Sequence, residues 1–259
     1  MYFRGVVVKK IYLLTLIVLA FMLGGCGEDS KTQEVKQGME AYLKRNYEME
    51  FEVGKPYLTG NKGFGYFYQV KAFPKGKPEL EFFVEGDKSN SGVYVDNYLQ
   101  VLWTSQGRKE VEAKIREVYG KDIDFILHYN FAYHNKNFKD LDHSEVLAKC
   151  NGRAYIEISF DIFGDTQIDK ELEAQKAFQV MKPYLLDNNI ARYHFNVIFL
   201  AKDFKEEYFR NPPNDSYGKS FDELYKEKKL INFLKTYNLE QTHPIEVKDS
   251  KDLIQWFKY

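Results

Sequence analysis

The sequence has no excess of charge: 37 Lys and Arg stand against 38 Asp and Glu, a formal net charge of −1. A dedicated nucleic-acid binder carries a basic face, so no nucleic-acid partner is expected. With 7 Pro and 17 Gly among 259 residues, a collagenous or low-complexity chain is excluded. Two cysteines, Cys26 and Cys150, are too few for a disulfide-stapled module. The five histidines, His128, His134, His143, His194 and His243, stand in no H-E-x-x-H or H-x-H arrangement, so no metal and no cofactor is expected. There is no G-x-S-x-G, and Ser91, Ser105, Ser159 and Ser250 lack the glycine or lysine partners of an activated serine. Gly60-Asn-Lys-Gly63-Phe-Gly65 is glycine-rich but matches no phosphate-binding pattern and leads into a strand.

Aromatic residues are abundant. Twenty Tyr, 21 Phe and 2 Trp make 17% of the chain, and 44% of all residues are hydrophobic, enough for a sizeable core.

The N-terminus reads as an address. Arg4, Lys9 and Lys10 form a basic region without acids, followed by Ile11 to Gly25 with no charge at all. A spanning helix needs roughly 20 apolar residues, so this stretch fits a secretory signal better than a permanent span. Leu23-Gly24-Gly25-Cys26 resembles the lipobox of bacterial lipoproteins. That resemblance implies cleavage of 1–25, acylation of Cys26, and a chain held by two or three acyl chains at the outer face of the cytoplasmic membrane. Two long chains at about 0.8 kcal/mol per buried CH₂ make a lasting anchor. The part after the signal carries 34 Lys and Arg against 38 acids, so lipid rather than charge would hold it at the surface.

Beyond the anchor, the pattern predicts an α+β protein with antiparallel sheets packed by helices. The expected layout is a lipidated tether over 26–32, small α+β units over 33–105 and 106–204, and a C-terminal helical segment over 211–259. Ser30 and Gln33 suggest a capping box for a helix over 31–47, with Val35, Met39, Tyr42 and Leu43 in phase. Strands are expected at 50–53, 63–73 and 80–85, with turns at Thr59-Gly60-Asn61 and Pro74-Lys75-Gly76. Helical phase runs over 93–119 with a break at Gly107. Strands follow at 123–133, 154–163 and 191–201, around a helix at 167–186 and a polar excursion at 135–151. Asn211-Pro212-Pro213-Asn214 interrupts the chain, and Ser220-Phe-Asp-Glu223 opens a helix carrying Leu224, Ile231, Leu234 and Tyr237. A last helix is expected near Ser250.

Few residues point to chemistry. Asp140, Asp142 and His143 beside His134 form a polar loop that is read as solvated. Asp161, Asp165 and Asp169 recur every four residues without the EF-hand order, and Asp165 is read as a turn residue or helix cap. Cys150, in the turn Lys149-Cys150-Asn151-Gly152, is read as a half-buried thiol, with a nucleophile near His143 as the sharper option. In Phe64-Gly65-Tyr66-Phe67-Tyr68 both faces of a strand are aromatic, read first as core, one face against the first helix and the other against a second layer; the alternative makes exposed Tyr66 and Tyr68 a platform for a sugar ring or an extended peptide. The favoured expectation is a non-enzymatic module that binds a peptide, a protein or an envelope glycan. The alternative is an envelope enzyme whose site is assembled from dispersed residues.

Overall fold

The computed structural model describes residues 28–63, 65–89, 92–164, 167–188, 190, 192–210, 220–238 and 247–259. The signal sequence, Cys26, Phe64, Asp165, the 211–214 break and His243 lie outside the described residues. The fold is α+β, in two compact units, Met1–Tyr98 and Leu99–Tyr259.

In the first unit, helix α1 (Glu28–Tyr47) buries Val35, Met39, Tyr42, Leu43 and Tyr47, the spacing of a single apolar stripe. It starts earlier than the capping box suggested, so residues 28–32 of the expected tether are helical. Glu48, at φ 56°, turns the chain into a five-stranded antiparallel sheet. Strands β1 (Phe51–Val53) and β2 (Tyr57–Asn61) share one edge of β3 (Gly65–Pro74), which pairs on its other side with β4 (Phe82–Asp87), and β5 (Tyr94–Asp96) closes the order. The turn expected at Thr59-Gly60-Asn61 is strand instead. Gly60 takes a φ of 110°, which a side chain would resist, and so stays in register opposite Tyr66.

The helix is fastened to the sheet at Asp96. Tyr42 donates to its Oδ2 at 2.6 Å, Tyr47 to its Oδ1 at 2.7 Å, and the Tyr98 backbone N–H to Oδ1 at 3.0 Å. Around this carboxylate, Tyr47, Phe51, Phe82 and Tyr98 pack with centroids 4.9–5.8 Å apart, mostly edge to face.

The second unit opens with α2 (Tyr98–Tyr119), which runs unbroken through Gly107 where a break was expected. The division therefore falls at 98/99 and not at 105/106. Then follow β6 (Phe125–Ala132), α3 (His143–Lys149), β7 (Tyr155–Gly164), α4 (Lys170–Lys182, continued by a π turn at Pro183–Asp187), β8 (Arg192–Ala201), α5 (Lys205–Arg210), α6 (Phe221–Lys226), β9 (Leu230–Asn238) and α7 (Lys251–Ile254). The sheet order is β6-β7-β8-β9.

Three local expectations are corrected here. First, β7 and β8 pair in parallel, because α4 supplies the crossover that such a pair requires. Second, the excursion over 135–151 contains α3, capped by a reciprocal Asp142–Glu145 box. Third, the helix opened by Ser220 stops at Lys226, and Lys228 at φ 60° precedes β9. Ile231 and Leu234 fit a helical spacing, but Leu230, Asn232, Leu234 and Thr236 alternate inward once the segment pairs with β8.

Both borders of this sheet meet groups of the same chain. At β6, Thr104 Oγ1 accepts from the Phe131 N–H at 3.1 Å and donates to its carbonyl at 3.4 Å. At β9, Phe257 bridges Leu234, and the Lys258 N–H donates to the Phe233 carbonyl at 3.1 Å. No helix among the described residues is long and apolar enough to cross a membrane.

Candidate binding face

The second sheet has two unlike faces. One is apolar and buried: Leu127, Tyr129 and Phe131, then Ile156, Ile158 and Phe160, then Tyr193, Phe195 and Val197. The intervening positions of the same strands are His128 and Asn130, Glu157, Ser159 and Asp161, and His194 and Asn196. Register sets them in rows across the strands. One row reads His128, Ser159, Asn196, Lys235; the next reads Asn130, Glu157, His194. On the other side of the first row lies Ile126, Asp161, Ile198, Phe233.

That third row is roofed. Phe163, Leu200, Ala201, Phe204, Leu224 and Leu230 form an apolar cluster, with Ile126, Ile198, Tyr208, Phe221 and Phe233 packed on it. Beyond the roof, His128 and Lys235 are exposed, while Ser159, Asn196, Asn130, Glu157 and His194 are half-buried. Asp161 sits under the border, 2% exposed, and the Tyr208 hydroxyl donates to it. Burial pushes its carboxyl above the usual carboxylate range, against the pull of Tyr208 and of the His128 charge. His194 Nδ1 stands 3.4 Å from Glu157 Oε1. Asn196 Oδ1 is buried without a hydrogen-bond partner among the described residues.

The residue types of a nucleophile, a base and a carboxylate share this face, since Ser159 lies opposite His128 and Asp161 is two positions along β7. They are not joined: among the described residues no hydrogen bond links Ser159 Oγ to His128, and the roof holds Asp161 through Tyr208. No group of three or more His, Cys, Asp or Glu among the described residues could hold a metal ion.

A joined relay exists on the buried side. His143 Nδ1 lies 2.8 Å from Glu110 Oε2, its Nε2 lies 2.7 Å from the Tyr129 hydroxyl, and its backbone N–H donates to Gln106 Oε1 at 2.9 Å. A neutral ring satisfies both contacts when Nδ1–H donates to Glu110 and Nε2 accepts from Tyr129. Burial holds the imidazole pKa below its usual value, with Glu110 opposing, and burial raises that of Tyr129. The phenol end of this chain is packed in the core and the Glu110 end is exposed, and the relay fastens α2, β6 and α3 to one another.

The residues singled out from sequence fall elsewhere. Tyr66 is 44% exposed at the open end of β3, with the Lys88 ammonium 5.4 Å above its ring, and Tyr68 two positions on is half-buried beside Leu58. Both lie in the first unit, on the side of the sheet that α1 covers. Cys150 is fully buried at the C-cap of α3, its thiol 3.2 Å from the Leu147 carbonyl, where a half-buried thiol was expected. His143, the base considered for it, is occupied by Glu110 and Tyr129. Asp142 is the N-cap of α3, and Asp169 is the N-cap of α4. The polar rows were missed, although the alternation that marked the apolar positions of β6, β7 and β8 also marks them.

No protein-family model matches this chain, and no curated protein matches it. Among solved structures, a DUF5037 family protein from Ruminococcus gnavus is similar, at 14% identity over 87% of this chain and 94% of that one. The TM-score is 0.38, too low to carry an argument about fold or function.

Proposed function

We propose that this chain is a lipid-anchored extracytoplasmic binding protein, without catalytic activity, that holds a peptide, a protein or an envelope glycan. The observation that supports the binding reading is the polar half of the second sheet, where His128, Ser159, Asn196 and Lys235 stand in register. The anchoring reading rests on the basic region, the uncharged stretch and Leu23-Gly24-Gly25-Cys26. Partner and address are then linked: the membrane is met through lipid at Cys26, and the ligand is met on the outer side.

The test is metabolic labelling with a fatty acid in a bacterial host, followed by membrane fractionation. The wild-type chain takes up label and sediments with membranes, and Cys26→Ala remains an uncleaved, unlabelled precursor. Equal labelling of the two would overturn the anchor.

A further inference from the structure

Resting on the lipid-anchor reading, we propose that two hairpin tips at one end of the first unit, Lys62 with Tyr66 and Lys88 with Val93, rest in the headgroup layer of the membrane that holds Cys26. The anchor leaves this unit little slack. A single residue, Gly27, separates Cys26 from the start of α1 at Glu28, a reach of at most about 7 Å.

The strands carry the tips toward that same end of the helix. α1 and β4 run in opposite directions: β4 starts at Phe82, in the aromatic cluster around Tyr47, and reaches Gly86 beside Met39, whose Cε would lie 3.4 Å from a methyl group added to that glycine. From Met39 back to Glu28 the helix rises about 16 Å, at about 1.5 Å per residue. Tyr68 pairs with Gly86, and from Tyr68 out to Gly65 the strand advances about 10 Å, with Lys62 and Gly63 turning beyond it. The β2–β3 tip therefore ends within about 6 Å of the level of the helix start, and the headgroup layer on each side of a bilayer is about 5–7 Å deep.

The side chains at the tips suit such a layer. Val93 is 66% exposed and Tyr66 44%, and the Lys88 ammonium lies 5.4 Å from the Tyr66 ring, an amphipathic aromatic with a cation beside it. Lys62 and Lys88 are exposed and match anionic phosphates. The neighbouring carboxylate, Asp87, is engaged by the Ser89 hydroxyl at 2.6 Å and its N–H at 3.2 Å. Glu28 and Asp29 are acidic, which leaves the attraction to anionic headgroups with the tips. α1 spends its apolar stripe on the sheet, so it has no apolar face with which to lie along the surface, and the unit meets the membrane end-on. The far end carries the Lys75–Glu50 ion pair and exposed Lys77.

The experiment places the lipidated full chain, in a Cys150→Ser background, in vesicles of phosphatidylcholine and phosphatidylglycerol. An environment-sensitive dye is attached through Val93→Cys, or through Ser89→Cys if the first variant melts early, and through Lys77→Cys as the distal reference. The expected result is quenching of the tip dye by a lipid spin-labelled near its headgroup, with iodide quenching at least threefold weaker than at Lys77→Cys. Adding Lys62→Glu and Tyr66→Ser should restore iodide access at the tip while the chain still floats with the vesicles. Equal iodide access at both dyes in floating vesicles overturns the tip contact and leaves the anchor standing. Shielding from iodide without quenching by the labelled lipid means that protein covers the tips, and also overturns it. A wild-type chain that fails to float overturns the anchor reading, and the tip contact with it.

Discussion

Gly107 faces His143 so closely that a methyl group added to it would stand 2.6 Å from Nε2, and equally 2.6 Å from the Tyr129 hydroxyl. The glycine in mid-helix is thus the space in which the buried relay sits. In an open helix, Gly→Ala gains about 1 kcal/mol. Here overpacking of about 1–3 kcal/mol opposes it. Gly107→Ala is expected to lower the urea midpoint of the second unit, and a variant as stable as wild type would show that the ring and phenol move aside freely.

The same ring sets a pH dependence. Burial holds folded His143 below the ordinary imidazole value of about 6.5, so between the two values the unfolded chain binds a proton that the native chain does not. Stability from this group is full above about 6.5 and declines as pH falls toward the lowered folded value. Glu110, Asp142 and Tyr129 face the ring, and the Glu110 charge works against the decline. Urea midpoints at pH 8 and pH 5.5 should separate more in wild type than in His143→Gln, which is less stable at both. Equal separations would remove His143 from the acid sensitivity.

In the first unit, Asp96 receives both Tyr42 and Tyr47. Tyr47→Phe and Tyr42→Phe are each expected to cost about 1.5–3 kcal/mol, as for hydrogen bonds to a charged acceptor. The double variant should depart from their sum, because the two share one partner. Strict additivity in denaturant melts would mean the two contacts are independent.

Cys150 is expected to stay silent toward a thiol reagent until the second unit opens. In a Cys26→Ala background the native protein should react slowly, at a rate that rises with urea, and Cys150→Ser should change stability by about 1–2 kcal/mol. Rapid reaction of the native thiol would contradict its burial.

The apolar stripe of α1 and the alternation of β6, β7 and β8 were legible in the sequence because each period is imposed by a single packed face. β9 was not: Ile231 and Leu234 satisfy a helical spacing, and only pairing with β8 selects the strand. The parallel β7–β8 pair depends on a crossover, which no local pattern reports. Gly107 illustrates the same limit from the other side. Its propensity argues for a break, while the need to seat His143 and Tyr129, residues 36 and 22 positions away, keeps it inside a continuous helix. The polar rows are an intermediate case: their members could be picked out strand by strand, but which of them are neighbours is set by register alone.

The blocked borders of the second sheet bear on crowding. Where copies of a protein meet often, a bare strand edge templates runaway pairing from one molecule to the next. Thr104 takes the place of a neighbouring strand at Phe131, and the backbone of Lys258 does so at Phe233. Removing these two contacts, by Thr104→Val and by truncation after Trp256, would bare more of each edge for sideways growth. Concentrated copies would then begin to polymerise well before any of them unfolded.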